Sequence, residues 1–532
     1  MISHTELETF LSGLEKLVAP VEKAVSEAWW KLSTTGSEEA QRELVEAGNA
    51  YDALFADKEK YEKVKGWYED RKSLENPLLR RQVEIVYREF AGTQGEKEVL
   101  EKIQELEAEA NSVYSNHRGI VNGKELGENE VREILRNSDD NDLRREAWEA
   151  SKTIGLKVEE TVRELARLRN RLAREAGYPD HYHRSLDLQE IDAAELAGIM
   201  SDLESATDTP FRELKAQFDT RIKERFGVES LMPWHLSDPF FQEPLEDRDL
   251  DVDRYFEGKD LEALTRKNYD SLGLDVRGVL AKSDLYEREG KSQHAFCLSV
   301  GRQYPYDVRV LANLRPGEAD AYWADTMLHE FGHAVYDRHI NPNLPYFLRS
   351  IAHINTTEAI ALMMGNLSED EVWLSSVAEI PQEDLDSARL AARYQASRLV
   401  FTRWALVMFH FEQALYADPD REDLNEVWWD LVERLQLVKH PPGRDKPDWA
   451  AKIHVAVAPV YYHNYVLGHL ISAQLRNYLE THVTHGPFFM SEVAGRYLLE
   501  AVFGPGARDD WQTTVLRATG ERLNSDYFVK SL

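Results

Sequence analysis

The feature that most constrains the fold of this chain is a helical spacing of apolar residues that recurs along most of its length. Apolar residues step by four and three positions over 99–113, and again over 158–176. This period places them on one face of an α-helix, the stripe that packs against a core. Gly177 and Pro179 predict the end of the second helix, because glycine favours a helix C-cap and proline blocks continuation. The chain is therefore predicted to be mainly α-helical.

One segment, 294–314, departs from this period and predicts a β-hairpin. It reads HAFCLSV, then a turn centred on Gly301, then DVRVLANL, in which every second residue from Val308 to Leu314 is apolar. Alternation with a period of two is typical of a half-buried strand. The hairpin ends shortly before the most distinctive motif of the chain.

A chain of 532 residues is too long for one simple core, so we expect either several domains or two lobes of one large unit. Proline-containing stretches near 232–245 and 441–447 are interpreted as loops inside one unit. No repeat, low-complexity tract or Ser/Gly linker marks a boundary in the sequence. We therefore predict a single unit over 1–532.

Charge and cysteine content exclude several kinds of partner and site. The formal net charge of -31 disfavours nucleic acid and anionic membranes, because a phosphate backbone selects basic patches. Cys297 is the only cysteine, so neither an intramolecular disulfide nor a cysteine-rich zinc site can form. Any metal must be bound by histidine and carboxylate.

The N-terminal sequence MISHTELETFLSGLEKL reads as an amphipathic helix with acidic residues. It lacks the basic start and continuous apolar stretch of a signal peptide. No run in the chain approaches the roughly 18 apolar residues of a membrane span. We expect a cytoplasmic protein, with a periplasmic or secreted location as the alternative if a leader has been removed.

Residues 329–333 spell HEFGH. His329 and His333 are four apart, so on a helix their side chains lie one turn apart on the same face and can bind one ion. Glu330 then lies beside them and can accept a proton from water that the ion activates. With 17 histidines in the chain, the pattern would arise by chance in roughly one chain of this size in twenty. The alternative is a pair of histidines satisfied by carbonyls, with Glu330 as an ordinary surface carboxylate.

The surroundings favour a metal site. Apolar residues flank the motif: Met327, Leu328, Phe331, Ala334 and Val335. Glu358 follows in TTEAIALMMGNL, which has the composition of a second buried helix with one carboxylate. A buried unpaired carboxylate is costly, and metal ligation would neutralise it. Taken alone, Glu358 is equally compatible with a charge near a helix N-terminus after Thr356 and Thr357.

HEFGHAVY, LPYFLR at 344–349 and TEAIALMM at 357–364 resemble the angiotensin-converting-enzyme family of dipeptidyl carboxypeptidases, and more distantly the thimet oligopeptidase family. Other stretches are similar to segments of the first family: LRNRLAREAGYPD at 168–180, WWDL at 428–431, PPGRD at 441–445, and DWAAKIHV at 448–455 followed by YYHNY. The resemblance implies a mainly α, two-lobed helical metallopeptidase with a deep central channel and the hairpin beside the zinc helix. The zinc and substrate motifs then lie at 294–365 and 428–475.

The resemblance also implies a metal and a base. It gives one Zn²⁺ ion bound by His329, His333 and Glu358. Glu330 would act as general base and later as general acid.

For substrate binding, the resemblance implies that His294 and Ala295 hold the peptide backbone and that His454 hydrogen-bonds its far side. Lys452 matches a lysine that pairs with the terminal carboxylate of the substrate. Without the resemblance, His294 would be interpreted as a capped surface histidine and Lys452 as a solvated side chain.

Two tyrosines three apart complete the implied site. Tyr462 would reach the terminal carboxylate, and Tyr465 would donate to the oxyanion, where charge appears only in the transition state. This assignment needs a one-residue insertion after His454 relative to the angiotensin-converting-enzyme pattern, and Tyr461 is a rival for the first role. The alternative is an aromatic stripe buried in the core.

Three positions depart from the family pattern. Leu362 stands where the family has an acidic residue that orients a zinc-bound histidine, so another residue must orient it. Asn464 and Val432 stand where the chloride-activated members have arginines. We therefore expect no chloride activation.

The sequence thus predicts a zinc-dependent peptidase that releases C-terminal dipeptides from short unstructured peptides. One alternative is an endo-acting oligopeptidase of the thimet type. Another is a catalytically inactive helical protein that binds peptides. The intact HEFGH motif, with Glu358 and Tyr465, argues against the last.

Overall fold

Helices dominate the chain, as the apolar spacing predicts. A computed structural model describes residues 4–245, 247 and 250–532, and 68% of these residues are helical. Among these residues, no helix is both long enough and apolar enough to cross a membrane. The mainly α class is confirmed.

The described chain forms two compact units, each assembled from separated stretches. The first unit contains Met1–Gln94, Leu250–Leu390 and Leu467–Phe528. The second unit contains Gly95–Asp249, Ala391–Val466 and Val529–Leu532. The chain passes between them several times, which explains why no linker is visible in the sequence. That 1–532 acts as one catalytic unit stays a prediction.

The helices and strands carry the following bounds in chain order. The helices are α1 His4–Thr35, α2 Glu38–Phe55, α3 Lys58–Glu69, α4 Pro77–Thr93, α5 Lys97–Asn116, α6 Glu128–Asn137, α7 Asn141–Lys152, α8 Gly155–Glu175, α9 His181–Leu188, α10 Ala193–Phe226, α11 Leu261–Ser271, α12 Arg277–Leu280, α13 Ala321–Arg338, α14 Ile354–Gly365, α15 Glu371–Ser376, α16 Ser387–Ala417, α17 Leu424–Gln436, α18 Ile453–Val457, α19 Tyr462–Tyr478, α20 Glu492–Leu498, α21 Trp511–Thr519 and α22 Asp526–Lys530. The strands are β1 Gly119–Val121, β2 Lys124–Leu126, β3 Asp284–Tyr286, β4 Phe296–Ser299 and β5 Val308–Leu314.

The two helices predicted from their apolar spacing are α5 and α8. The stepping apolar residues of α5 are buried from Val99 to Ala110. In α8, the stripe is buried from Val158 to Leu172, and the helix ends just before Gly177, whose φ of +90° other residues rarely adopt. The local sequence therefore determines which face of each helix is buried and, in α8, where the helix ends.

The predicted hairpin is present, as β4 and β5 in the first unit. They pair antiparallel from Phe296 opposite Leu311 to Ser299 opposite Val308. A third strand, β3, lies parallel to β5 on its other side, so the order is β3, β5, β4 and β4 forms an edge. Sequence analysis missed β3, because three residues are too few to show an alternating pattern.

A buried lysine holds the loop that joins β3 to β4. The ammonium group of Lys291 donates to the backbone carbonyls of Asp284, Tyr286 and Ala312 and to the carboxylate of Asp284. Its side chain is fully buried. These bonds tie the start of β4 to β3 and β5, and so fix the segment that contains the candidate substrate residues.

The sheet packs against α13 within one hydrophobic core of the first unit. This core includes apolar residues of β5, α13 and α14. The backbones of α13 and α14 approach closely at Gly332, where an added Cβ would lie 2.8 Å from Cα of Ala361. Only glycine permits this approach, which brings the HEFGH motif against the helix that contains Glu358.

Candidate metal centre

Two histidines and one glutamate converge where α13 meets α14. Nε2 of His329 is 3.9 Å from Oε1 of Glu358, and Nε2 of His333 is 3.6 Å from Oε2. One ligand atom from each residue lies within 4.8 Å of the others, the one such cluster of three in the described chain. The side chains are 21%, 16% and 15% exposed in the order His329, His333, Glu358, so a small ligand can reach them.

Each element that contributes to the cluster is fixed locally. The carboxylate of Asp320 caps α13 by accepting from the backbone N–H of Trp323 at 2.8 Å. The ring of His353 caps α14 in the same way, accepting from the N–H of Asn355 at 3.1 Å. On α19, an added Cβ at Gly468 would lie 2.9 Å from Cγ of Glu358, so the absent side chain leaves space for that ligand.

The protonation states suit a divalent cation. Burial lowers the pKa of His329 to about 4, and burial together with His329 lowers the pKa of His333 to about 3. Both imidazoles are therefore neutral near pH 7, as metal ligation requires. Burial raises the pKa of Glu358 to about 7, and a bound cation would favour its ionised form. Two imidazoles and one carboxylate are a ligand set that catalytic zinc sites use, with one position left open.

Glu330 lies beside the cluster and is itself buried. Burial, and then the nearby charge of Glu358, raise the pKa of Glu330 to about 8. A hydrogen bond from the backbone N–H of Cys297, on β4, acts in the opposite direction and fixes the carboxylate. A carboxylate with a pKa near neutrality is suited to accept and return a proton. The edge strand therefore orients the candidate base.

The residue that orients His333 is Thr357, which sequence analysis missed. Its hydroxyl Oγ1 is 2.8 Å from Nδ1 of His333. When Nε2 of His333 ligates a metal ion, Nδ1 is the nitrogen that carries the proton, and it can then donate to the hydroxyl. A hydroxyl thus performs the orienting role expected of an acidic residue at Leu362. The sequence indicated this role only through the position of Thr357 directly before Glu358. A threonine near a helix N-terminus is also an ordinary capping residue, so that position alone is ambiguous.

Replacing Thr357 by valine should weaken zinc binding by about tenfold to a hundredfold, because the buried N–H of His333 loses its partner and the ring loses its orientation. Zinc affinity would be measured by competition with a chelator of known affinity. Thr357→Ser keeps the hydroxyl and serves as the matched control. Equal affinities for the valine and serine variants would contradict this role.

Zinc affinity should fall by about tenfold per pH unit below pH 7, because Glu358 must lose one proton to bind the cation. A raised pKa means that the carboxyl is protonated below that pH, whereas the histidines stay neutral down to about pH 4. Titrations between pH 5.5 and about 8 would measure the slope, with Glu358→Gln as the variant that lacks it. A slope that steepens below pH 6.5 toward about a thousandfold per unit would show that both histidines titrate normally, because their two protons would add to that of Glu358.

The candidate backbone-binding residues precede the edge strand in the first unit. His294 is exposed and lies two residues before β4, and Ala295 is half-buried beside it. Both lie in the loop that Lys291 holds, between β3 and β4. Their position directly before an edge strand is suited to pairing with an extended peptide, which adds to a sheet edge through backbone hydrogen bonds. Their role in substrate binding stays a prediction.

In the second unit, Lys452 lies in an aromatic and polar surrounding. Its Nζ is 5.5 Å from the ring centre of Phe240, 5.6 Å from Trp404 and 6.0 Å from Tyr462. It donates to Oε1 of Gln242 at 2.9 Å. Burial lowers its pKa to about 8, so it is mainly charged at pH 7. The interpretation as a solvated lysine does not describe this environment.

Gln242 is a second residue that sequence analysis missed. It lies in a turn organised by the buried Asp238, whose carboxylate accepts from the backbone N–H groups of Phe240, Gln242 and Glu243. Gln242 lies in the stretch 232–245, which the sequence predicts to be a loop, and it belongs to no helical or alternating pattern that would indicate a role. A polar partner for Lys452 therefore emerges only from the tertiary structure.

The ring of His454 lies 4.9 Å from that of Tyr462, which is 5.6 Å from that of Tyr465. Burial, and then the charge of Lys452, lower the pKa of His454 to about 4, and its Nδ1 has no hydrogen-bond partner among the described residues. Tyr462 thus shares the surroundings of His454 and Lys452, which favours it over Tyr461 for the carboxylate role. The roles of these residues stay predictions.

Between α18 and α19, Val460 adopts a φ of +54°, a left-handed conformation that β-branched residues seldom adopt. The insertion inferred after His454 stays a prediction. At the two positions that lack arginine, Val432 is buried in α17 and Asn464 donates to Gln189 at 2.9 Å.

Two family models match the chain. The model described as angiotensin-converting enzyme, peptidase family M2, matches residues 2–231, and the model of peptidase family M3 matches residues 280–532. The metal centre and the motifs at 428–475 lie within the M3 match. The family that the motifs resemble more distantly therefore covers the candidate site.

One relative from Caenorhabditis elegans is named an inactive angiotensin-converting enzyme-related protein. It is 26% identical over 163 residues, which cover 30% of this chain and 18% of that protein's length. This chain therefore matches less than a fifth of that relative.

A helical fold, an HExxH helix and a glutamate on the following helix define a metallopeptidase of the gluzincin class. The two family models match different parts of the chain, and both support the resemblance to the angiotensin-converting-enzyme and M3 peptidases that the motifs indicated. Both families are zinc metallopeptidases, and the cluster of His329, His333 and Glu358 is compatible with that metal.

Proposed function

We propose that this protein is a zinc-dependent peptidase that hydrolyses short, unstructured peptides by releasing C-terminal dipeptides. The observation that carries the proposal is the cluster of His329, His333 and Glu358, whose ligand atoms lie within 4.8 Å of one another, with the buried carboxylate of Glu330 beside it on α13. This combination supplies a base and a ligand set for one metal ion in the same place.

His329, His333 and Glu358 would hold the ion. When bound there, Zn²⁺ supplies Lewis acidity that makes water a better nucleophile and polarises the scissile carbonyl. Glu330 accepts the proton of the attacking water and returns it to the leaving amine. Tyr465 donates a hydrogen bond from its phenolic O–H to the oxyanion as charge develops. His294 and Ala295 hold the peptide backbone, and His454 hydrogen-bonds its far side.

Release of dipeptides requires an anchor for the free C-terminus, and Lys452 is the candidate. Its ammonium group is charged at pH 7 and partly desolvated, so its hydrogen bond to a carboxylate would be strong. Gln242 accepts from Lys452 through Oε1, which leaves its amide N–H groups to donate to the same carboxylate. Tyr462 would add a phenolic donor.

The second candidate is an endo-acting oligopeptidase. The M3 model covers the metal centre and Lys452, and the thimet oligopeptidases belong to that family. A third candidate, an inactive peptide-binding protein, has the name of the nematode relative in its favour. Against it, this chain keeps His329, Glu330, His333 and Glu358 together.

Metal analysis of the purified protein, combined with mass spectrometry of its products, separates the three candidates. A peptidyl-dipeptidase would contain about one zinc per chain and release dipeptides from a free C-terminus but not from an amidated one. Cleavage of both peptides at the same internal bonds would identify an oligopeptidase. If the zinc-loaded protein binds the peptide but releases no products, the proposal that it is an enzyme is overturned.

A further inference from the structure

The turn between α18 and α19 in the second unit is held in an unfavourable conformation. Val460 has a φ of +54° and is 1% exposed. A left-handed conformation is a genuine outlier for a β-branched residue, and such outliers persist only where the surrounding structure over-determines them. Glycine or asparagine would adopt it with less strain.

Both backbone groups of Val460 are fixed by buried or half-buried side chains. Its N–H donates to Oε1 of Glu412 at 2.7 Å, and its carbonyl accepts from Nε2 of Gln189 at 3.2 Å. Glu412 lies on α16 and is 3% exposed. Gln189 directly follows α9. Two separate helices therefore hold a single residue of the turn.

Gln189 also contacts the first turn of α19. Its Oε1 accepts from Nδ2 of Asn464 at 2.9 Å and lies 3.2 Å from Nε2 of His463. These two residues lie between Tyr462 and Tyr465. A single amide thus connects the strained turn to the helical turn that contains the candidate tyrosines.

A buried arginine fixes the preceding side of the turn. Arg169 donates to the carbonyl of Ala456, in α18, at 2.6 Å. It is itself held by the carboxylate of Glu107 at 2.7 Å and the hydroxyl of Tyr416 at 3.1 Å. The segment from Ala456 to Val460 is therefore held at both ends.

We propose that Glu412 and Gln189 are positioning residues that set where α19 begins, and thereby the positions of Tyr462 and Tyr465. The inference rests on the proposed function, since it assigns catalytic meaning to where Tyr465 lies. The two bonds fix the backbone at Val460, two residues before α19 begins at Tyr462.

Glutamine is a close substitute for Glu412. Burial raises the pKa of Glu412 to about 8, so its carboxyl is mostly neutral at pH 7, and an amide keeps the oxygen that accepts from Val460. Glu412→Gln should therefore preserve the turn, whereas Glu412→Ala removes the acceptor. Comparing the two variants therefore shows whether the turn needs the hydrogen-bond acceptor or the acidic group of Glu412.

The test is a double-mutant cycle with Tyr465→Phe, read as kcat/KM on one peptide. We expect Glu412→Ala to lower kcat/KM by about tenfold or more in the native background, but by less than about twofold when Tyr465 is already phenylalanine. Glu412→Gln should stay within about threefold of native. Equal losses in both backgrounds, or equal effects of alanine and glutamine, would overturn the proposal.

Amide hydrogen exchange tests the same inference without activity. In Glu412→Ala, the amides of 458–466 should exchange at least about tenfold faster, while those of α13 stay unchanged. Unchanged exchange in 458–466 would overturn the positioning role of Glu412, even if the enzyme is active. An inactive native protein would overturn only the proposed function. If Glu412→Ala does not fold, Gln189→Ala takes its place with the same expectations, since it removes the bonds to Val460 and Asn464.

Discussion

Glu330→Gln should abolish most peptide hydrolysis while the protein retains its zinc. Glutamine keeps the shape of Glu330 and can still accept the hydrogen bond from Cys297, but it cannot take a proton from water. Removal of a general base lowers kcat by about a hundredfold or more. The measurement is kcat on one peptide alongside zinc content of the same preparation.

The matched control is Glu358→Gln, which changes another glutamate of the same cluster. Because Glu358 faces both histidines at 3.6 to 3.9 Å, its loss should reduce zinc content as well as activity. The two variants therefore distinguish a base from a ligand. Near-native turnover of Glu330→Gln with zinc bound would remove Glu330 from its assigned role.

Much of the first unit's site could be predicted because its signals are local. A spacing of four residues places His329 and His333 on one helical face whatever the rest of the fold does. Alternation over Val308 to Leu314 gives the strand in the same way. Glu358 was a candidate ligand as a single carboxylate in an apolar helix, but that pattern alone fits a charge near a helix N-terminus equally well.

The residues that sequence analysis missed depend on contacts between distant parts of the chain. Thr357 is adjacent to Glu358, yet its hydroxyl orients a histidine on another helix, which no local pattern records. Gln242 contacts Lys452 across 210 positions of sequence. Glu412 and Gln189 meet at Val460 from separate helices. Tertiary packing, rather than propensity, selects these partners.

The surroundings of Lys452 also could not be predicted from the residues next to it in the sequence. Most lysines are solvated, so composition favours that interpretation. Here three aromatic rings and an amide surround Nζ, and burial lowers its pKa to about 8. A lysine that stays charged despite desolvation is suited to an anionic ligand, because the ligand's charge offsets the cost of burial.

C-terminal amidation of a peptide substrate should therefore impair its cleavage by the native enzyme about tenfold to more than a hundredfold at pH 7. A charge-assisted hydrogen bond of about 1.5 to 3 kcal/mol accounts for this loss. The carboxylate held by Lys452 fixes the register, so the bond presented for hydrolysis lies two residues from the C-terminus. The assay compares kcat/KM for free and amidated forms of one peptide.

In Lys452→Ala, the same amidation should matter much less, because the partner of the carboxylate is already absent. This comparison is a double-mutant cycle with the substrate as one member, and it separates direct contact from general damage to the fold. Lys439→Ala is the matched control, since Lys439 lies in the same unit but is exposed and donates to Ser230. That variant should discriminate against amidated peptide as the native enzyme does. If the native enzyme instead cleaves free and amidated peptides equally well at internal bonds, Lys452 anchors no carboxylate and the enzyme is an endo-acting oligopeptidase.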